Sequence, residues 1–286
     1  MNTGTNTEIA HPARAATASA KDTSGSKLQA ASGQVVYEQP VNERTRIFLR
    51  LEYLFRQAGH HLRAGSEWDS RATLNCVLEI IDIFGNTNLK SEVIKELERI
   101  TASLRRLDRN PEVDSQQLGN VLDEIGKHIT DIHQLNGQIA AELKVSEFLT
   151  SIRQRSAIPG GTCDFDLPAF HFWLQLPAAA RQQDLLHWLG HFDAVGRAIR
   201  LILKLIRNST PLEAAVATDG VYQRTLDPAL PYQMIRIALP ANSSCYAELS
   251  GGRHRFTVRF LEFTSTGERA RQTNRDVAFE MACCVI

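Results

Sequence analysis

Residues 194–226 read AVGRAIRLILKLIRNSTPLEAAVATDGVYQRTL, and the fold turns on the change of texture inside this stretch. Up to Asn208 apolar side chains recur at helical spacing, while Arg197, Arg200 and Lys204 interrupt the run from Ala194 to Ile206. No stretch in the chain approaches the roughly 18 uncharged apolar residues of a membrane span, so this segment is an amphipathic helix. Pro211 closes it, Asp219-Gly220 reads as a turn, and the apolar period drops from near 3.6 to 2.

Working outward toward the C-terminus, Pro240 and Gly251-Gly252 punctuate short runs rich in Val, Ile, Phe and Tyr. Strands are expected at about 213–218, 221–226, 232–239, 244–249, 254–263 and 276–284, an antiparallel sheet of five or six strands. Toward the N-terminus the texture is helical. Asn42 is placed to cap a helix carrying Ile47, Leu51, Leu54 and Phe55, with Arg46, Arg50 and Arg56 on its other face. Ser66 and Asp69 form a capping-box pattern ahead of a helix that Gly85 ends. A third helix spans about Asn88 to Asp108, with Glu92, Glu96, Lys95 and Arg99 along its outside, and Pro111 stops further propagation. A fourth runs through Leu118, Leu122, Ile125, Ile129 and Ile132, and a fifth is expected from Ile139 to Arg155. Ile158-Pro159-Gly160-Gly161 breaks the chain, after which Asp166 is placed to cap a short helix with Pro168 in its first turn. Another helical region covers about Ala178 to Asn208, with a break near Gly190 or Asp193. Helices followed by strands define an α+β fold, not the alternation of a doubly wound sheet. The expected organisation is a disordered tail at 1–33, an α-helical domain at 35–210 and an antiparallel β domain at 211–286; the tail, dominated by Ala, Thr, Ser, Gly and Asn, cannot offset its ordering entropy.

The 286 residues balance 32 Lys+Arg against 32 Asp+Glu, and 43% are hydrophobic. Zero net charge argues against strong sequence-independent attraction to nucleic acid. Five cysteines without framework spacing fit a reducing compartment, and the N-terminus lacks the roughly 7–15-residue apolar core of a secretory signal, so the chain reads as cytosolic.

From His254 to Phe263, Phe256, Val258 and Phe260 alternate onto one face and Arg255, Thr257 and Arg259 onto the other. Arg253 shares their parity near the turn, Arg236 sits on a nearby strand, and no Asp or Glu occurs between Gly251 and Leu261. Of the basic residues 25 are arginine and 7 lysine, which suits bidentate binding of carboxylates. By pattern alone the face is either a solvated one with cross-strand charge pairs or a partner surface.

Other chemistry is weaker. His187 and His191 stand four apart on a helix, but neither the zinc-protease glutamate nor a third ligand accompanies them. Cys163 lies near Asp164, Asp166 and His171, and an enzyme using Cys163 and His171 is the alternative in that class, although a lone Cys after two glycines is more often a buried small residue. Gly160-Gly161 is too short for a phosphate loop. Cys283 and Cys284 alternate across a strand and read as two reduced thiols. A nucleic-acid module using the arginine strand is the other alternative; neutral charge and the lack of exposed stacking aromatics beyond Tyr232 speak against it. No cofactor or metal is expected.

Glu38-Gln39-Pro40-Val41-Asn42-Glu43, Leu49-Arg50-Leu51-Glu52-Tyr53-Leu54 and Lys95-Glu96-Leu97-Glu98-Arg99 together form a specific set of motifs. It continues through Arg153-Gln154-Arg155 with Ile158-Pro159-Gly160-Gly161, Phe165-Asp166-Leu167-Pro168 with His171-Phe172-Trp173-Leu174, Arg255-Phe256 to Arg259-Phe260, and Phe279-Glu280-Met281-Ala282-Cys283-Cys284. Over about Val35 to Cys284 the chain resembles the ZapD family, formerly called YacF, cytosolic cell-division factors that associate with the tubulin-like GTPase FtsZ at the bacterial division ring.

The resemblance implies an α-helical domain joined to a β domain, a homodimer without enzymatic activity, and binding of the FtsZ C-terminal tail so that the dimer cross-links and bundles protofilaments at midcell. Arg50, His171, Arg255 and Arg259 match positions associated with a positively charged FtsZ-recognition cleft, and Arg253 occupies a site that is also basic in relatives. Gly252 and His254 depart from the family pattern. Arg46 and Arg236 are added from the charge pattern alone.

Overall fold

A computed structural model of the chain describes residues 33–109, 111, 113–135, 139–252, 254–263 and 265–286. Its helical layer begins where the capping residues predict. Helix α1, Glu43–His61, starts at Asn42, whose extended backbone lets its carboxamide oxygen accept from the Thr45 N–H at 2.9 Å. Helix α2, Glu67–Asn86, opens with the Ser66/Asp69 capping box and runs one residue past the expected stop at Gly85. Helix α3, Leu89–Arg105, tightens into a 3-10 turn at Arg106–Arg109, and Asp114 caps α4, Ser115–His133.

Two local expectations give way. The single helix expected over 139–155 is two, α5, Ala141–Val145, and α6, Glu147–Ser156. Between them Ser146 is extended, and its hydroxyl accepts from the Leu149 N–H at 3.4 Å, so a side-chain cap competes successfully with helix continuation. Helix α7, Pro168–Leu174, keeps its early proline but not the Asp166 cap: Leu167 holds the cap position, and the Asp166 carboxylate accepts from Cys163 Sγ at 3.4 Å instead. Helices α8, Ala178–Gly190, and α9, Asp193–Asn208, flank the expected break.

Helix α9 is the axis of the helical core. Val195, Ala198, Ile199, Ile202, Leu203 and Ile206 are 0% exposed, while Arg197, Arg200 and Lys204 lie on its solvent side. Each fully buried Val, Leu or Ile among them contributes about 1.5–3 kcal/mol of transfer free energy. Glu96, expected on the outside of α3, is buried and ion-paired by Arg44 and Arg99, both at 2.6 Å.

The six expected strands are all present: β2, Glu213–Ala217; β3, Val221–Thr225; β4, Tyr232–Pro240; β5, Cys245–Gly251; β6, Arg255–Glu262; and β8, Val277–Val285. Two more join them, β1, Gln34–Pro40, ahead of all the helices, and the two-residue β7, Arg271–Gln272. The stretch 35–210 therefore opens in a strand. Instead of one sheet there are two antiparallel ones, in the orders β1-β4-β8-β2 and β3-β6-β5, with β7 paired to β6. The Asp219-Gly220 turn passes from the first sheet to the second, with both residues at positive φ and a single bridge between Thr218 and Val221.

This makes three layers. Met234, Ala282 and Cys284 on one face of the first sheet join the helical core. Ile235, Ile237, Leu239, Phe279, Met281 and Cys283 on its other face pack against Phe256, Val258 and Phe260 of β6. With both faces covered, β4 is buried over most of its length and β8 from Met281 to Cys284.

Candidate functional site

Strand β6 displays its arginines outward because its alternation is anchored on one side only. Phe256, Val258 and Phe260 are 1%, 0% and 0% exposed between the sheets, and that burial forces Arg255, Thr257 and Arg259 onto the outer face of the second sheet. Register then decides what each meets. Arg259 stands directly opposite Glu248 of β5 and forms a short ion pair with it, so a cross-strand carboxylate does reach this face. Thr257 accepts a hydrogen bond from Gln223 Nε2 at 3.4 Å. Arg255 lies opposite Thr225 and makes no ion pair among the described residues. Arg253 lies outside the described residues.

Beside Arg259 the outer face opens into a groove of about 1210 Å³. Tyr246 and Leu261, directly opposed across β5 and β6, contribute its apolar part. Arg269, Ala270, Arg271 and Gln272 flank it from the segment leading into β7. Its carboxylates are engaged: Glu248 by Arg259, and Glu262 by the Thr273 hydroxyl and Arg275, each at 2.8 Å, which holds the Glu262 carboxyl below its ordinary pKa. Arg269 and Arg271 are exposed and have no ion-pair partner among the described residues. The strand pattern does not single them out, because Arg269 sits in an irregular segment with no periodicity and β7 is only two residues long.

Arg46 and Arg50 line a second cleft, of about 690 Å³, where α1 meets β1 and α2. Tyr53, 65% exposed, and Leu49 give it an apolar flank, with Glu38 and Glu79 as its acids. Arg46 pairs with Glu43 at 3.2 Å, whereas Arg50 has no ion-pair partner among the described residues. Arg236 belongs to neither opening. It sits on the helix-facing side of β4, half-buried, with Nε at ion-pair distance from Glu38, 3.3 Å, but making no hydrogen bond among the described residues, and Nη1 donating to the Arg207 carbonyl at 3.2 Å. His171 is half-buried on α7, whose Phe170 and Trp173 pack into an aromatic cluster with Phe148 and Trp188. Thus Arg255 and Arg259 share one face, Arg46 and Arg50 share one cleft, and among the described residues no hydrogen bond or ion pair joins these sets to each other or to His171.

The structure adds no support to the remaining chemical candidates among the described residues. Burial and the neighbouring Asp166 carboxylate push the Cys163 thiol up, the reverse of an activated nucleophile. The rings of His187 and His191 meet edge-on at 5.1 Å, and among the described residues no group of three or more His, Cys, Asp or Glu side chains could hold a metal ion. Cys283 and Cys284 are both free and point into different cores, and burial pushes Cys284 up to about 11. No helix among the described residues is long and apolar enough to cross a membrane.

A helical layer on a two-sheet antiparallel sandwich, with arginines lining its surface openings, defines an α+β protein. The profile of the family described as ZapD, cell division protein, matches residues 49–259. The cell division protein ZapD of Methylococcus capsulatus is 42% identical over 253 residues, spanning 88% of this chain and 99% of that relative. The ZapD of Coxiella burnetii is 35% identical over 88% of this chain and 98% of its own length, and that of Chromobacterium violaceum 35% identical over 87% and 99%. This chain belongs to the ZapD family of cell division proteins.

Proposed function

We propose that this chain is a cytoplasmic, non-enzymatic division factor that binds the C-terminal tail of FtsZ and, as a homodimer, cross-links and bundles FtsZ protofilaments at midcell. The observation that carries this reading is the outward display of Arg255 and Arg259 on a strand whose other face is locked into the core. Arg50, also exposed and without an ion pair, supports it from the α1 cleft. An acidic, partly apolar linear segment suits such surfaces: guanidinium forks take carboxylates and the flanking tyrosines and leucines give apolar grip. Arg253, His171, Arg46 and Arg236 stay in the proposed set, Arg236 through its hold on Glu38, which lines the same cleft as Arg50.

Each tail binds weakly in this scheme. A dimer has two such surfaces and a filament has many tails, so effective concentration turns weak contacts into stable bundling. The division of labour that goes with it is a helical domain over 35–210 and a β domain over 211–286. The test is co-pelleting and light scattering of GTP-assembled FtsZ with this protein, comparing full-length FtsZ with a version lacking its tail. Bundling only with the intact tail is expected; equal bundling of both, or of neither, overturns the reading.

A further inference from the structure

We infer that the groove on the outer face of the β3-β6-β5 sheet is a receptor for an extended acidic segment in which Arg269 and Arg271 take carboxylates alongside Arg259, and in which Glu248 restrains Arg259. The inference rests on the tail-binding reading above and adds to it a set of contact residues, a ligand pattern and a built-in competitor.

The lining of the groove holds as many glutamates as arginines, yet they are not equally available. Glu248 faces Arg259, Glu262 is held by Thr273 and Arg275, and Glu268 also has an interaction partner. Arg269 and Arg271 remain without an ion pair among the described residues, although Arg271 stands opposite Glu262 in the β6–β7 register; with Glu262 taken by Arg275 from outside the lining, both guanidiniums are left to a ligand. Planar guanidinium forks favour carboxylates over point-like anions.

The β-register supplies the ligand pattern. Leu261 and Tyr246 form one cross-strand pair, and Arg259 and Glu248 the next pair on the same face. Same-face positions along a strand are about 7 Å apart, which is also the spacing of residues i and i+2 in an extended peptide. A segment with an apolar side chain two positions from a carboxylate therefore meets Leu261 and Tyr246 with one and Arg259 with the other, while flanking acids reach Arg269 and Arg271. Any carboxylate approaching Arg259 competes with Glu248, which stands directly across from it.

The experiment is fluorescence anisotropy of the full chain with two labelled probes, a synthetic FtsZ C-terminal tail peptide and an alternating Glu/Leu peptide, at low salt. The variants are Arg259→Glu, Arg269→Glu with Arg271→Glu, Glu248→Gln, and Arg63→Glu as an exposed cation away from the groove. All are surface changes, checked for fold by circular dichroism and thermal unfolding. The double reversal is expected to weaken both probes at least tenfold, and Glu248→Gln to tighten both about two- to fivefold, the range of an exposed ion pair. Arg63→Glu should do neither. If Arg259→Glu loses the tail peptide while the double reversal binds normally, this inference is overturned and the tail-binding reading stands. If the tail peptide fails to bind but the Glu/Leu peptide binds and is lost in the double reversal, the groove stands and its assignment to FtsZ falls. Failure of both probes overturns both.

Discussion

Arg207 and Glu38 meet fork to fork, Nε and Nη2 of the guanidinium donating to the two carboxylate oxygens at 2.8 Å each. The same guanidinium donates to Glu52 at 2.8 and 2.6 Å, so one side chain at the end of α9 fastens strand β1 to helix α1. Burial works against its charge, but the hydrogen bonds to Glu52 and Glu38 outweigh it and raise the pKa. Arg207→Met leaves Glu52 without its cation and Glu38 with Arg236 alone. The expected loss is about 2–4 kcal/mol, somewhat under that of a fully buried pair because the Arg207 side chain stays 24% exposed. Urea unfolding measures it; a change below about 0.5 kcal/mol, typical of ordinary surface substitutions, would show that the clamp carries little.

The buried Glu96 sets an acid limit on stability. Burial raises its pKa, but the ion pairs with Arg99 and Arg44 prevail and the net shift is downward from 4.5. A carboxyl whose folded pKa is depressed stabilises fully above its unfolded value, and that contribution is lost as pH falls below 4.5 toward the folded value. Unfolding free energy should therefore drop through this window in the wild type, and Glu96→Gln should flatten that part of the curve while lowering the plateau near pH 7.

A histidine acts higher on the pH scale. His128, 9% exposed on α4, has a buried Nδ1 with no partner among the described residues, and desolvation together with Arg197 lowers its pKa against the pull of Glu124 and Asp131. The unfolded chain takes the proton first, so stability falls as pH drops below 6.5 and levels off beneath the lowered folded value. His128→Leu should remove that limb and leave the Glu96 limb in place. Thermal unfolding between pH 7 and pH 5 distinguishes the two, and an unchanged slope in the variant would assign the effect elsewhere.

How far the sequence disclosed this architecture depends on the range of the interaction. Asn42, and Ser66 with Asp69, cap helices through partners three residues away, and both were legible as local patterns. Strand β1 was not, because Gln34–Pro40 ends in Glu-Gln-Pro and becomes a strand only by pairing with β4, where Tyr37 meets Ile237. The split into two sheets was equally hidden: Asp219-Gly220 has the same local chemistry whether it closes a hairpin or turns a corner between sheets. At the candidate site the parity of Arg255 and Arg259 followed from the alternation of β6. Glu248 opposite Arg259, and Arg269 and Arg271 at the groove, depend on register and loop path, which carry no periodic signal.

That corner gives a backbone prediction. Gly220 has φ +70°, and a Cβ there would lie 2.4 Å from the Thr273 carbonyl oxygen. Its own carbonyl accepts from the Phe260 N–H at 2.8 Å, while Thr273 N–H donates to the Phe260 carbonyl at 3.0 Å, so the turn and the end of β6 are tied to the segment after β7. Gly220→Ala combines backbone strain with a backbone clash and should cost at least about 2 kcal/mol. It should also weaken binding of an acidic peptide at the groove, since Arg271 is displaced with Thr273. A variant of wild-type stability would show that the corner relaxes freely.

Charge reversals separate surface cations from structural ones. Arg50 and Arg255 are exposed without ion pairs among the described residues, whereas Arg236 is committed to Glu38 and the Arg207 carbonyl. Arg50→Glu and Arg255→Glu should each weaken FtsZ tail binding about tenfold or more at unchanged melting temperature, and their effects should add because no contact couples the two positions. Arg236→Gln should lower the melting temperature, and its loss of tail affinity should be smaller than that of either reversal because it acts only through the Glu38 side of the cleft. Raising ionic strength from 50 to 200 mM should weaken wild-type bundling, because the screening length of exposed cation contacts falls from about 14 to about 7 Å over that range. Light scattering of FtsZ with the four proteins across that salt series decides the matter: a normal response from Arg255→Glu beside a lost response from Arg236→Gln would place recognition on the helix-facing side of the sandwich and remove it from the outer sheet.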